Sequence, residues 1–349
     1  MIVVNARFLT QKITGVQRFA IEISLELKKI LKENVLFVSP CNIEQKEYAK
    51  ILGVTVVGKH KGHVWEQWDL PLYLNEIGKP LLLNLANTAP LIYKNKISTI
   101  HDVAFEIYPQ TFNKPFLYMY RFLMPRIIRS SKRIVTVSES SKREICDIYQ
   151  VDKKKVFVIY NAVSDQFKHI ENERLKSEKY FLAVSSLNYR KNFIAVLKAF
   201  ELYSKTHEEE HLYIIGDIRN ANFKGIDISQ FMHNPRVKFL GRVSDNELIA
   251  YYSNAIGFIY PSIYEGFGIP PLEAQACSCP VLLSDIPSLK EVFSDSALYC
   301  NPYDINDIAE KMHELLDKTE TYIKRGTKNV NRFSWNTSAQ LLCNQLLKS

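Results

Sequence analysis

The sequence runs to 349 residues, 46% hydrophobic and 23% charged, a balance that excludes an intrinsically disordered chain and supplies core for one large or two ordinary domains. Its 12 glycines and 14 prolines are scattered, which excludes collagen-like and low-complexity chains, and no stretch approaches the ~18 consecutive apolar residues of a membrane span. The formal charge of +8 is lopsided: residues 1–165 carry 24 Lys and Arg against 15 Asp and Glu, residues 166–349 carry 21 against 22, so the field that attracts anions belongs to the first half.

Short β-branched runs alternate with longer segments of helical periodicity, the pattern of parallel βα units. Strands are predicted at Ile2 to Val4, Val35 to Val38, Val54 to Val57, Leu81 to Leu85, Ser98 to His101, Arg133 to Val137 and Val156 to Ile159. Val16 to Lys32 reads as a helix, with Phe19, Ile23, Leu27 and Ile30 on one face, and Ser138 as the N-cap of another. Between them, Lys114 to Arg133 mixes aromatic side chains with cations, and no acidic residue occurs from Ile107 to Ser138. Pro125 is expected to break or kink any helix there. Such a segment suits either an anionic membrane surface, touched by Arg121, Arg126 and Arg129, or a half-buried helix covering the sheet.

The polar stretch Ser164 to Lys179 is the best linker candidate. A second series follows, with strands at Tyr180 to Val184, Leu212 to Ile215, Val237 to Leu240, Ala255 to Ile259, Val281 to Leu283 and Ala297 to Tyr299. Helices fit Phe193 to Ser204, Asp245 to Ser253, Pro270 to Cys277 and Ile305 to Leu316. The expected fold is therefore α/β, two Rossmann-like doubly wound domains facing across a cleft, with ligands at the carboxyl ends of the strands. The domains are expected at 1–165 and 166–330, followed by a terminal segment at 331–349.

The most informative segment is Glu265-Gly266-Phe267-Gly268-Ile269-Pro270-Pro271-Leu272-Glu273-Ala274. It crosses a Gly-x-Gly turn after a strand and enters a helix marked by proline in its first turn. Glycines let backbone N–H groups approach a ligand closely, and the helix start adds unpaired donors, so the turn suits an anion. Glu265 ahead of the turn and Glu273 inside the helix offer carboxylates to sugar hydroxyls; Glu273 serves equally well as a residue favouring a helix N-terminus. Arg190 and Lys191, between a strand and a helix, suit a diphosphate whose charge grows as it leaves. In the first half, Gly15 stands between the first strand and first helix, and His101 closes a strand next to Asp102. His101 fits either a substrate hydroxyl or a structural role. Arg242, in a third strand-to-helix loop, fits a nucleobase contact or a plain surface position.

Several chemistries are missing. The chain has no G-x-x-x-x-G-K-[ST], G-x-S-x-G, H-E-x-x-H or C-x-x-C, and no Asp-x-Asp to grip a metal on a nucleotide diphosphate, so no metal and no cofactor are expected. His60 and His63 near Glu66 lack an evident third ligand. The six cysteines match neither a disulfide scaffold nor a zinc-knuckle spacing and read as reduced thiols. Met1 opens directly into a strand, without the n-region and h-region of a signal peptide.

Taken in order, the Gly15 loop, His101-Asp102, Ser138-Glu139-Ser140, Asn161-Ala162-Val163, Arg190-Lys191-Asn192, Gly241-Arg242-Val243 and the Glu265 to Glu273 segment resemble the retaining glycosyltransferases of family 4 over nearly the whole chain. The resemblance implies the GT-B architecture. It implies Glu265 and His101 beside the donor sugar, as catalytic residues, and Glu273 on the ribose. Arg190, Lys191, Gly15 and the backbone of Gly266, Phe267, Gly268 and Ile269 would hold the donor diphosphate, with Arg242 and Val243 at the base. It also implies that the terminal helix, around Trp335 to Leu347, packs on the first domain. Ser185-Ser186, Ala162 and the single glycine of Ile13-Thr14-Gly15 depart from the family's usual glycines. Trp65-Glu66-Gln67-Trp68 and Asn5-Ala6-Arg7 are similar to the bacterial mannosyl- and rhamnosyltransferases of surface polysaccharides.

The resulting expectation is a retaining, metal-independent hexosyltransferase. It takes mannose from GDP-mannose to a lipid-pyrophosphate-linked oligosaccharide such as an O-antigen, in the cytoplasm and peripheral to the inner face of the cell membrane. A transferase of the same fold using dTDP-rhamnose or a UDP-sugar is the alternative, ahead of a nucleotide-sugar epimerase, a glycan phosphorylase or a non-catalytic nucleotide-sugar-binding protein. No nucleic-acid partner is expected, because nucleic-acid binding leaves two acidic residues around a glycine turn unexplained.

Overall fold

The computed structural model describes residues 1–184, 189–216 and 229–347. The chain divides into two compact units: residues 1–161 with the segment from Ser334 onward, and Ala162–Phe333.

The first unit is built on seven strands: β1 (Ile2–Asn5), β2 (Val35–Ser39), β3 (Thr55–Val56), β4 (Leu81–Asn84), β5 (Lys96–Thr99), β6 (Arg133–Thr136) and β7 (Val156–Val158). They pair in parallel in the order β3-β2-β1-β4-β5-β6-β7. Val3 sits opposite Leu36 on one side and Leu82 on the other, so strand order reverses direction between β1 and β4. Strands covered on both faces read as continuous apolar runs, which is why Ile2-Val3-Val4 and Leu81-Leu82-Leu83 lack alternation.

The Gly15–Leu31 helix buries Phe19, Ile23 and Leu27, and its start is held by the Gln17 side chain, which accepts from the Thr14 N–H at 3.2 Å. Against it lies the Trp335–Leu347 helix of the same unit. The Phe19 and Trp335 rings meet at 6.0 Å between centroids, Asn336 Nδ2 donates to Glu26 at 2.9 Å, and Ser338 Oγ donates to the Tyr160 carbonyl at 2.8 Å.

Two expectations are corrected here. Pro125 does not break the helix here: the Lys114–Ser130 helix continues through it. Asn113 caps it by accepting from the Phe116 N–H at 2.9 Å, and Leu123, Met124, Ile127 and Ile128 are buried on both sides of the proline. That burial outweighs the one missing backbone hydrogen bond. The stretch 164–179 is no free linker: His169 Nδ1 lies 3.2 Å from the Cys277 carbonyl, and the Ile170 N–H donates to Ser253 Oγ at 3.1 Å.

The second unit carries six strands: β8 (Tyr180–Val184), β9 (His211–Ile215), β10 (Val237–Gly241), β11 (Gly257–Tyr260), β12 (Val281–Ser284) and β13 (Leu298–Cys300). Their order is β10-β9-β8-β11-β12-β13, again parallel, with the reversal between β8 and β11. Phe181, Leu197, Phe200, Leu212, Leu282, Met312 and Leu315 form the core between this sheet and the Phe193–Tyr203 and Ile305–Asp317 helices. Each unit is thus a Rossmann-like fold, a parallel sheet with connecting helices. Among the described residues, no helix is long and apolar enough to cross a membrane.

Candidate active site

The densest cluster of predicted site residues lies in the second unit, where strand order reverses between β8 and β11. Ser185 to Asn188 lie outside the described residues. Beyond them, Tyr189–Lys191 form a single 3-10 turn, and Asn192 adopts a left-handed backbone (φ 54°) before the Phe193–Tyr203 helix. Asn192 tolerates that region better than most side chains, and here its amide donates to the carbonyls of Pro261 at 3.0 Å and Pro302 at 2.5 Å. The Ile263 N–H donates to the Arg190 carbonyl at 2.7 Å. These bonds fasten the Arg190-Lys191 turn to the segment that follows β11.

Lys191 is directed into that segment. Its Nζ donates to Glu265 Oε1 and to the Tyr260 hydroxyl, each at 2.6 Å, and lies 5.1 Å from the Tyr260 ring centroid. The side chains of Lys191 and Glu265 are only 21% and 11% exposed, so their attraction is weakly screened. Burial opposes the ammonium charge, but Glu265 and then Tyr260 hold the Lys191 pKa above its ordinary value. The Tyr260 hydroxyl is raised by burial and by Glu265, and donates no charge of its own at neutral pH. Tyr260, the last residue of β11, lies outside the glycine-turn motif, and nothing in the local sequence signals that its hydroxyl meets Lys191.

Glu265 leads into the glycine turn. Gly268 caps the Ile269–Ala276 helix at φ 98°, and a Cβ placed on it would stand 2.7 Å from Leu289 Cδ2 and 3.2 Å from Phe293 Cε2. Only glycine meets both demands. Phe267 is buried against Phe333, with centroids 5.5 Å apart, which fixes the turn between two glycines. Pro270 and Pro271 start the helix and lack N–H groups of their own. Glu273 is half-buried in the same helix, where its charge contributes to raising the pKa of the buried Tyr252 well above normal. Arg242 is exposed and Val243 half-buried in the loop after β10, just before Ser244 and Glu247 close a capping box at 2.8 and 3.3 Å.

His101 and Gly15 belong to the first unit. Gly15 is the exposed first residue of its helix. His101 lies two residues past β5 and is buried, its ring edge-on to Phe19 at 4.9 Å. Its Nε2 sits 3.0 Å from the Leu85 carbonyl. A carbonyl only accepts, so the proton is on Nε2 and Nδ1 is left as an acceptor. Burial lowers the His101 pKa against the pull of Leu85 and Asp102, which keeps the ring neutral.

Sequence reasoning gave no role to a second cluster in this unit, at the reversal between β1 and β4. Arg7 Nε donates to Glu66 Oε1 at 3.1 Å and its Nη2 to Thr88 Oγ1 at 2.6 Å. Asn5 Nδ2 donates to both Glu66 Oε1 and Asn84 Oδ1 at 3.0 Å. Glu66 is almost fully buried; burial opposes its charge, yet Arg7 and flanking donors lower its pKa to about 2. The signal was present in Asn5-Ala6-Arg7 and Trp65-Glu66, which are 59 residues apart at the ion pair. His60 is spent on Asp69 at 2.8 Å and His63 approaches Glu66 at 3.4 Å. Among the described residues no group of three or more His, Cys, Asp or Glu is placed to hold a metal.

The basic helix splits its cations. Arg121 Nε donates to Glu106 Oε2 at 2.9 Å, Arg126 lies 3.7 Å over the Phe122 ring, and Arg129 is exposed.

The chain is similar to known proteins along nearly its whole length. The Glycosyltransferase Family 4 family matches residues 13–167, and the Glycosyl transferases group 1 family matches residues 164–331. The O-antigen chain mannosyltransferase RfbU of Salmonella typhimurium is 30% identical over 99% of both chains. The chain belongs to the family 4, group 1 glycosyltransferases. A second relative of this glycosyltransferase, the O-antigen chain mannosyltransferase B of Escherichia coli, is 27% identical over 68% of this chain and 66% of its own. Among solved structures, HepE of Anabaena in complex with UDP and glucose superimposes with a TM-score of 0.76 at 15% identity, covering all of both chains. WaaG, a glycosyltransferase involved in lipopolysaccharide biosynthesis, gives 0.73 at 14% over 99% of each. At these identities the two structures speak for the glycosyltransferase fold alone.

Proposed function

We propose that this glycosyltransferase moves mannose from GDP-mannose, with retention at the anomeric carbon and without a metal, onto a sugar hydroxyl of a lipid-pyrophosphate-linked oligosaccharide of the O-antigen kind. The observation that carries the reading is the Lys191–Glu265–Tyr260 cluster beside the Gly266–Gly268 turn, in a chain related end to end to an O-antigen mannosyltransferase.

In this reading the diphosphate rests on the backbone donors of the turn, with Arg190 and Lys191 offsetting its charge as the glycosidic bond breaks. Lys191 then leaves Glu265 for phosphate oxygen. The freed carboxylate orients sugar hydroxyls and offsets positive charge on the ring. Glu265 is not assigned as a covalent nucleophile, because the departing phosphate is itself able to accept the proton of the acceptor hydroxyl. His101 Nδ1, an acceptor, takes a donor-sugar hydroxyl, Glu273 takes the ribose, and the backbone around Arg242 and Val243 takes the base. Gly15 adds a backbone donor to the diphosphate, and the buried Arg7–Glu66 cluster belongs to the acceptor side. Arg121, Arg126 and Arg129 hold the protein at the inner face of the cell membrane.

A panel of GDP-mannose, UDP-sugars and dTDP-rhamnose in thermal-shift measurements tests the donor, since a ligand bound only by the native state raises its melting temperature. Stabilisation by GDP-mannose and an α-configured product by NMR are expected. Stabilisation by a UDP-sugar alone selects the alternative donor, and a β-configured product overturns retention.

A further inference from the structure

The second unit carries a concentration of positive charge on residues outside the glycine turn. No acidic residue occurs after Glu320, although the unit as a whole is near neutrality. The Thr319–Val330 helix and the turn after it place Lys324, Lys328 and Arg332 at four-residue intervals, with Arg325 beside them. Like charges four residues apart on a helix repel, so the Lys324–Lys328 pair works against folding. These cations line an open cavity of about 750 Å³ together with Ser294 and Asn329.

The two arginines are held in place by the protein. Arg325 Nη1 donates to the Asp295 carbonyl at 3.0 Å, and Arg332 Nη1 donates to the Val292 carbonyl at 3.1 Å and to Asn329 Oδ1 at 2.7 Å. Among the described residues Asp295 is the one carboxylate lining the cavity, and it sits 3.7 Å from Arg325. The side chains of Lys324 and Lys328 have no ion pair or hydrogen bond among the described residues.

The cavity wall is hydrogen-bonded into the interior of the unit. Gln275 Nε2 donates to the carbonyl and the hydroxyl of Ser296, both at 2.9 Å, and Asn329 Nδ2 donates to Gln275 Oε1 at 2.9 Å. All three residues are buried. Gly326 admits this contact, since a Cβ there would press on Gln275 Cγ at 3.1 Å. Gln275 belongs to the Ile269–Ala276 helix, so one buried amide network joins the cavity wall to the helix that starts at the glycine turn.

The geometry points to a second anion site in this unit, a cavity that takes a phosphate-bearing ligand on Lys324, Lys328, Arg325 and Arg332 independently of the Lys191 turn. Planar guanidinium groups fixed by backbone carbonyls and two mobile ammonium groups match a multiply charged phosphate ester better than a monovalent anion.

Inorganic pyrophosphate is the probe, titrated calorimetrically into a Lys191→Ala background so that the glycine turn contributes least. Binding is expected there, and adding Lys324→Glu with Lys328→Glu is expected to weaken it at least tenfold, with the milder Lys324→Ala/Lys328→Ala pair intermediate. A second arm sediments the same proteins with vesicles containing phosphatidic acid, whose phosphomonoester can carry two charges. Vesicle binding lost on charge reversal, without pyrophosphate binding, assigns the phosphate to a lipid headgroup; pyrophosphate binding lost on reversal, with vesicle binding unchanged by it, assigns it to a soluble ester. Titrations and sedimentation that charge reversal leaves unaltered overturn the site.

Discussion

Lys191 and Glu265, 74 residues apart in the chain, share a hydrogen bond of 2.6 Å, so a cation suited to phosphate and a carboxylate suited to sugar hydroxyls neutralise each other. A donor that draws Lys191 away therefore unmasks Glu265 in the same step. Glu265→Gln is expected to lower transfer at least ~100-fold, in the range set by removing one electrostatic contact to a transition state, with the fold retained. Turnover assays beside circular dichroism check this, and near-normal turnover would remove Glu265 from the chemistry.

Replacing Arg190 and Lys191 together by alanine is expected to weaken GDP binding by about 2 kcal/mol or more, since each charge-assisted contact contributes about 1.5–3 kcal/mol. Isothermal calorimetry with GDP reads the difference directly. An unchanged affinity would place the diphosphate elsewhere.

The Arg7–Glu66 pair makes the first unit sensitive to acid. Glu66 has a folded-state pKa of about 2 against an ordinary 4.5, a depressed carboxylate, so its contribution is present above pH 4.5 and is lost as pH falls towards 2. The difference corresponds to about 3 kcal/mol. Urea unfolding of the native protein between pH 2 and 6 should show this loss. Glu66→Gln should be less stable at neutral pH and flatter across the same window; identical profiles would contradict the depressed value.

Gly268→Ala meets both a left-handed backbone and the Leu289 side chain, 2.7 Å from the new Cβ. A destabilisation of about 2 kcal/mol is expected, together with weakened nucleotide binding as the turn shifts. A melting temperature within a degree of the native protein would show that Leu289 and Phe293 yield freely.

Neutralising Arg126 and Arg129 should reduce sedimentation with anionic vesicles, and the loss should vanish at high salt, because exposed charges are screened. Arg121 is expected to matter less, since Glu106 already pairs with it. Equal binding by the variants would leave this helix a cover for the sheet.

The sequence made the alternation of strands and helices legible because fully covered parallel strands are continuous apolar runs, and the glycine turn legible because its residue types are so restricted. What it concealed depends on distance along the chain. Lys191 meets Tyr260, and Arg7 meets Glu66, only after strands far apart in sequence have paired, and no local pattern encodes which polar groups then converge. Pro125 misled for a related reason: its local preference was plain, while the burial of Met124 and Ile127 beside it belongs to the tertiary structure. The Thr319–Val330 helix went unread because its surface is mostly polar and cationic, with Tyr322, Gly326 and Asn329 as its buried points.

The last helix, Trp335–Leu347, completes the unit that begins at Met1, so the polypeptide passes from one unit to the other at residues 161–162 and again at 333–334. A ribosome reaching Phe333 has finished the second body but still owes the first its final wall against Phe19. Stop codons or frameshifts in the closing stretch of the gene should therefore harm the amino-terminal half, and a fragment ending at Asn161 should need those distal residues grafted back on to remain soluble.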